Sequence, residues 1–462
     1  MKKTLALVAL VLLAPPALAE TNIWGIPGEC QLEVVECATG REAAKRPAPR
    51  VLSSVYMQDS WTVHAYEPSP DGKTLLVMLE DGLRLVRGGR TDDYRLDLHM
   101  GPREFAWHPD SRRVAFWVRD TPPAAPGQPQ TACKALAVLD VTALPPAPLP
   151  QGAKVPYEVV HWSSKDSVPF GHLWSPDGEA LLVIATDLDP ANATSGVLRR
   201  VPTTGPARDL LRLPGDLDFV YGPRGSVVPA GQDRVLVAHA GVGLCALGGL
   251  LQPIPDLPPS GLFNLAWSPD WGRNHVLLFY RKSVQGRSGQ VYRGVYLLEL
   301  EAALGESARP AEQLHDQTDV HSLSFSPLGT YATWAGPGRV AYRPVDGKPS
   351  DTVEVRSLVL ESGEDLWIKG MAWSPDETKL AITAGNRLYV HEPATKELYL
   401  VAELGKLDHT FLAQPTWVGD RVIVGSYEDT QRSGRKQPPV QPVPPAGGDE
   451  DEPWAPTPPQ KG

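Results

Sequence analysis

The sequence predicts an all-β fold, a closed β-propeller of eight blades with seven as the alternative, and three observations carry that expectation. A short phrase recurs along the chain: Trp174-Ser175-Pro176-Asp177-Gly178 precedes Leu181-Leu182-Val183, Trp267-Ser268-Pro269-Asp270 precedes Val276-Leu277-Leu278, and Trp373-Ser374-Pro375-Asp376 precedes Leu380-Ala381-Ile382. Looser copies stand at Ser69-Pro70-Asp71-Gly72, Trp107-His108-Pro109-Asp110 and Phe325-Ser326-Pro327-Leu328-Gly329. The copies are spaced by roughly 40 to 50 residues, the period of repeated supersecondary units that cannot bury their faces alone and must stack. Finally, 48 Pro and 42 Gly in 462 residues suit many short strands and oppose long helices.

Each copy has a physical reason for its shape. Proline sets its φ for the second position of a type I turn, Ser and Asp bond the local backbone, and Gly accepts the exit conformation. The phrase therefore joins a strand ending in Trp or Phe to one of aliphatic residues buried on both faces. With the turn proline as a ruler, the clear anchors are Pro70, Pro109, Pro176, Pro269, Pro327 and Pro375. Val227-Val228-Pro229-Ala230-Gly231 before Val235-Leu236-Val237, and Trp417-Val418-Gly419-Asp420 before Val422-Ile423-Val424, read as degraded copies and bring the total to eight. The last anchor leaves room for only two strands. Leu32 to Glu36 and Ala38 to Glu42 resemble the outer part of a repeat, so amino-terminal strands are expected to complete the blade begun by Trp417 to Ser426, with Gln31 to Glu36 beside Arg421 to Ser426. Such closure removes unpaired sheet edges.

The expected organisation is 1–19 signal peptide, 20–427 propeller and 428–462 tail. Lys2 and Lys3, the apolar run Leu5 to Leu13 and the small-residue site Ala17-Leu18-Ala19 form a secretory leader cleaved after Ala19. The apolar run is shorter than the about 20 residues that span a bilayer, and no Cys follows the cleavage site to carry a lipid. A periplasmic or secreted monomer of bacterial type follows, with no transmembrane segment in the mature chain. Thr121 to Pro129 and Leu144 to Pro150 read as loop insertions in the second blade that stand outside the ring. The tail combines Pro-Pro pairs with Asp449-Glu450-Asp451-Glu452, a composition that cannot bury a core and is expected to be disordered.

Four cysteines, Cys30, Cys37, Cys133 and Cys245, allow two disulfides in an oxidising compartment. Cys30 and Cys37 flank a strand and would lie about 23 Å apart, too far to bond each other. Either could pair with Cys133 or Cys245, or all four could be separate core thiols. The net charge of -10, from 54 acidic against 44 basic residues, disfavours nucleic acid as a partner.

The Trp-Ser-Pro-Asp-Gly units resemble those of TolB-type β-propellers, over roughly Cys30 to Tyr427. TolB carries an additional amino-terminal α/β domain. Repeat-like sequence here begins within about a dozen residues of the expected mature start, which leaves no room for one, so TolB's partners are not carried over.

No local motif for catalysis emerges. Peptidases of the prolyl oligopeptidase kind share a propeller but append an α/β-hydrolase domain, and no Gly-x-Ser-x-Gly occurs. In Asp71-Gly72 and Asp177-Gly178 the two residues are adjacent, unlike the Ser-x-Asp-x-Gly-x-x-Trp turn of sialidases. Gly72-Lys73-Thr74 imitates the end of a phosphate loop, but Glu67 stands where its first glycine would fall. His315, Asp316, Asp319 and His321 form the nearest metal-like cluster, read here as a solvated loop before a strand. Asp187, Asp189 and Asn192 imitate a calcium loop without its Gly and distal Glu. No catalytic, cofactor or metal residue is assigned. Trp107, Trp174, Trp267 and Trp373 share one phase, which marks packing between blades, whereas Trp24, Trp61, Trp271, Trp334 and Trp367 lie outside it and are the candidates for exposed contact.

Two function classes remain. One is a non-catalytic interaction scaffold of the cell envelope, binding another envelope protein. The other is a propeller enzyme of lactonase or glycan hydrolase type, with carboxylates or His converging on the central channel from several blades. The missing motifs favour the first.

Overall fold

A computed structural model describes residues 30–429 apart from 43–44, 58–65, 80–81, 88–89, 97–104, 122–132, 148, 150–153, 165, 176, 189–193, 215–226, 230–233, 239–241, 247–250, 255–256, 259–260, 268–274, 287–288, 301–310, 356–366 and 408–409. The leader, Trp24, Trp61, Trp271 and the tail from 430 onward lie outside the described residues.

Among the described residues the chain is all-β, in eight antiparallel sheets. Seven run in sequence order and have four strands each. Their lead strands are Tyr66–Pro68, Ala106–Trp107, Ser167–Trp174, Val227–Pro229, Asn264–Trp267, Ser322–Phe325 and Ile368–Trp373, which head the second to eighth sheets. The remaining, first sheet joins the two ends of the chain. Cys30–Ala38 pairs on one side with Arg50–Met57 and on the other with Arg421–Asp429, which also pairs with Thr410–Leu412 and Thr416–Val418. Its register runs from Cys30 opposite Asp429 to Ala38 opposite Arg421, and so contains the expected pairing of Gln31 to Glu36. The last strand ends at Asp429, two residues beyond the expected end of the propeller at 427. The degraded copy at Val227 forms a hairpin with Arg234–Ala238, as its sequence implies.

The recurrent turn closes the way its residues dictate. In the second sheet the Gly72 amide donates to the Ser69 carbonyl at 2.8 Å, the Ser69 hydroxyl donates to Asp71 Oδ1 at 2.7 Å, and Asp71 Oδ1 also accepts from the Lys73 amide at 3.1 Å. Gly72, Gly178 and Gly329 leave the turn at positive φ, and Ser111 and Glu377 adopt the same conformation without being glycine. Those two side chains tie neighbouring turns together: Ser111 Oγ accepts from the Asp71 amide at 3.0 Å and Glu377 Oε1 from the Leu328 amide at 2.7 Å.

Adjacent sheets bury their facing aliphatics in shared clusters. Leu76, Leu83 and Leu85 of the second sheet pack with Trp107, Val114 and Phe116 of the third, and Val35, Val422 and Val424 of the first pack with Ala381, Leu388 and Val390 of the eighth. The side chain of Trp267 lies outside the described residues, and the other in-phase tryptophans, with Trp417 of the degraded copy, sit at these seams. The indole N–H donates from Trp107 to the Glu67 carbonyl (3.1 Å), from Trp174 to the Ala106 carbonyl (2.8 Å), from Trp373 to Thr333 Oγ1 (2.8 Å) and from Trp417 to the Ala372 carbonyl (2.8 Å). Each of these bonds reaches the preceding sheet, as the shared phase requires.

Two expectations need correction. Trp334, read as a contact candidate, is 1% exposed: it lies on the strand after a turn, between the sixth and seventh sheets with Leu314 and Phe279. The insertion beginning at Leu144 does not stand apart, since Leu144 is buried in the seam of the second and third sheets and Tyr94 donates its hydroxyl to the Pro145 carbonyl at 2.9 Å. The other insertion lies almost wholly outside the described residues. Cys37 is a free, buried thiol whose pKa burial pushes up to about 12, so it is not a bridge partner, while the side chains of Cys30, Cys133 and Cys245 lie outside the described residues. Among the described residues no helix is long and apolar enough to cross a membrane.

Candidate interaction surface

Lead strands of neighbouring sheets lie against one another, as Ser322–Phe325 does against both Asn264–Trp267 and Ile368–Trp373, and Thr416–Val418 against both Ile368–Trp373 and Tyr66–Pro68. Their ends define two edges of the molecule. One carries the Ser-Pro-Asp turns. At the other, where lead strands begin, one arrangement of side chains has an exposed aromatic and an unusual cation.

Trp367 immediately precedes Ile368–Trp373 and is 50% exposed. Its carbonyl accepts from the Gly385 amide at 3.1 Å, which fixes the backbone to the turn between the next two strands. Two residues on, Lys369 lies at a register shift between Ile368 and Gly370. Its ammonium stands over two rings, Trp367 at 5.8 Å and Phe411 of the first sheet at 5.4 Å. Phe411 is the cross-strand partner of Tyr427. On the other flank, His321 of the seventh sheet stacks on Trp367 with centroids 4.6 Å apart and planes at 19°, while its Nε2–H donates to the Ile368 carbonyl. Side chains from three consecutive sheets thus meet at one lysine and one half-exposed tryptophan.

Local sequence explains the closeness. A Cβ on Gly370 would stand 2.4 Å from the Cα of Gln414, so glycine there lets the eighth sheet's lead strand approach the first sheet's backbone. The buried Thr383 hydroxyl then contacts both the Gly370 carbonyl (3.3 Å) and the Ala413 carbonyl (3.0 Å), holding that approach. Burial pulls the Lys369 pKa down to about 8, and burial also holds His321 below its ordinary value. Near neutral pH the surface offers a largely protonated lysine with reduced hydration, a state suited to cation–π contacts and to donating hydrogen bonds.

The other clusters are internally satisfied. Asp187 accepts from Ser167 Oγ at 2.6 Å, from Arg199 at 3.0 Å and from Arg212 at 2.6 Å, and the same two arginines hold Asp209 at 2.7 and 2.8 Å. Asp187 is therefore committed to arginines, while Asp189 and Asn192 lie outside the described residues. The His315 cluster is dispersed: His315 faces Asp316 at 3.4 Å and the Trp334 ring at 6.2 Å, Asp319 meets Arg339 at 3.8 Å, and His321 belongs to the surface above. Among the described residues no three His, Cys, Asp or Glu side chains are grouped to hold a metal ion. Sequence reasoning found Trp367 by its phase. It missed Lys369 and Phe411, because nothing in the spacing of residues 321, 369 and 411 signals that they meet.

No protein-family model and no curated protein matches the chain. Among solved structures it is similar to a putative TolB from Agrobacterium tumefaciens, at 12% identity and a TM-score of 0.34, over 86% of this chain and 98% of that one. It is also similar to the β-propeller domain of the Trilobed protease from Pyrococcus furiosus, at 10% identity and 0.41, over 72% and 95% of the two chains. A functionally unknown protein from Desulfotomaculum acetoxidans is similar at 15% identity and 0.39, over 73% and 95%.

Proposed function

We propose that this chain is an exported, non-catalytic β-propeller whose eight sheets are blades of one closed ring, and that the surface around Trp367 and Lys369 binds another envelope protein. The ring reading is supported by the pairing of Cys30–Ala38 with Arg421–Asp429 and by the cluster that packs the eighth sheet on the first. Export is supported by the leader at residues 1–19. The observation that carries the binding reading is the half-exposed Trp367 seated against Lys369 and His321, since protein contact sites favour aromatic anchors beside partly desolvated cations.

A photocrosslinking amino acid at position 367, with position 328 on the Ser-Pro-Asp edge as control, tests this in envelope extracts. The expected result is one discrete protein adduct from position 367 and none from 328. Equal, diffuse labelling from both positions overturns the proposed surface. Edman sequencing of the exported protein should begin at Glu20, and retention of residues 1–19 in the cytoplasm overturns the export reading.

A further inference from the structure

We propose that the segment Pro438 to Pro445 of this chain's own carboxy-terminal extension docks across Trp367, Lys369 and Phe411. The last described strand delivers the extension to this surface. It ends at Asp429, two residues past Tyr427, and Tyr427 is paired directly with Phe411. From the Phe411 ring it is 5.4 Å to the Lys369 ammonium, and from there 5.8 Å to the Trp367 ring. The eight residues 430–437 span up to about 26 Å when extended, which covers that path with chain to spare.

The chemistry of the segment fits the surface. Gln437-Pro438-Pro439-Val440-Gln441-Pro442-Val443-Pro444-Pro445 is a polyproline II sequence, whose proline rings lie flat on aromatic side chains and whose carbonyls have no partner within their own helix. His321 already stacks on one face of Trp367, so the prolines meet the remaining half-exposed surface of that ring and the Phe411 ring, with the Lys369 ammonium standing over both. The extension also carries Asp449-Glu450-Asp451-Glu452, opposite in sign to Lys369 and to Arg339, whose own contact is Asp319 at 3.8 Å. A short tether holds its end at an effective concentration in the millimolar range, so an interaction too weak to detect between separate molecules still populates the docked state. The extension thereby competes with any partner for Trp367.

The inference rests on reading this surface as a contact site, and the rate at which an N-hydroxysuccinimide ester acylates Lys369 tests it. Peptide mass spectrometry reads that rate in the mature full chain and in a chain ending at Thr430, with the exposed Lys396 as internal reference. Truncation should speed acylation of Lys369 about threefold or more, the protection expected when a few millimolar of tethered segment meets a Kd near 1 mM. A peptide spanning residues 437–454, added at millimolar concentration, should restore protection. Replacing Pro438, Pro439, Pro442, Pro444 and Pro445 by Ala in the full chain should mimic truncation. Equal rates in full and truncated chains, or no restoration by the peptide, overturn the proposal, and protection that survives the alanine replacements overturns the assignment to the proline segment. A missing partner adduct from position 367 in the chain ending at Thr430 sinks only the partner reading, and equal acylation rates with that adduct present sink only the docked extension.

Discussion

Removing Trp373 should cost far more than removing Trp367, although the two lie six residues apart, one at the end of the strand Ile368–Trp373 and the other just before its start. Trp373 is 4% exposed, donates its indole N–H to Thr333 Oγ1 at 2.8 Å, stacks on Tyr331 with centroids 4.7 Å apart, and meets Tyr342 edge-on at 5.2 Å. A fully buried aromatic replaced by Ala costs about 3–5 kcal/mol. Here the upper half of that range applies, because the Thr333 hydroxyl, itself fully buried, is left without its donor. Trp373→Phe keeps most of the packing and loses the hydrogen bond, and should cost about 1–2 kcal/mol. Trp367→Ala removes a half-exposed ring and a cation–π contact, for less than about 1 kcal/mol. Urea denaturation followed by circular dichroism gives the order through the shift in midpoint. A loss below 1 kcal/mol for Trp373→Ala, or equal losses at both positions, refutes the assignment of in-phase tryptophans to the seams.

Deleting residues 20–45 removes the strand Cys30–Ala38 and exposes the edge of Arg421–Asp429, so the product should aggregate or unfold on size-exclusion chromatography; a stable monomer of native circular dichroism contradicts this. Burial, then the charge of Arg199, lowers the His161 pKa to about 4, and burial lowers that of His391 as well. Both stay neutral in the fold while the unfolded chain takes up protons below its ordinary value of about 6.5, so stability is full above that pH and declines as pH falls toward 4. The His161→Gln variant should lose less stability than the parent between pH 7.5 and 5.0, and identical losses would show that His161 titrates normally. Lys396 stands at a φ of 58° in an exposed turn, so Lys396→Gly should raise the urea midpoint by an amount worth about 0.5–1 kcal/mol, and a lowered midpoint would show that the lysine side chain contributes more than its backbone conformation costs.

What could be read from the sequence was whatever repeats. Ser-Pro-Asp-Gly specifies the same turn because its bonds are local, and Trp107, Trp174 and Trp373, held two residues before the proline, each meet the preceding sheet because the strand that carries them is held in the same place. Trp334 breaks the phase, yet its burial was also legible: it follows Phe325-Ser326-Pro327 on the strand after a turn, and such strands are covered on both faces, as Leu380 to Ala384 are. Position outside one repeat phase therefore does not imply exposure; position outside both the lead-strand end and the following strand does, as at Trp367. The insertion at Leu144 was misplaced for a related reason, since proline content marks irregular backbone and says nothing about whether its few leucines find a seam.

The surface around Lys369 was illegible because it depends on what the turns leave unspecified. At the Ser-Pro-Asp edge, hydroxyls and carboxylates are consumed by the turn itself: Ser374 Oγ and Asp376 Oδ1 bond each other at 2.6 Å, and the same Asp oxygen accepts from the Thr378 amide at 3.2 Å. Burial there is dictated and little remains to bind a partner. At the opposite edge the hairpins vary from the tight Gly385-Asn386 turn to insertions of many residues, and the side chains that meet come from sheets separated by more than 40 residues of sequence. Loops held by a rigid frame are where binding residues collect. His321, Lys369 and Phe411 meet only because three sheets of fixed geometry pack side by side, so their association is a property of the packed sheets and of no segment within one of them. Trp367→Ala should accordingly abolish the protection of Lys369 by the extension while leaving the seams intact, a separation of binding from stability that no in-phase tryptophan can show.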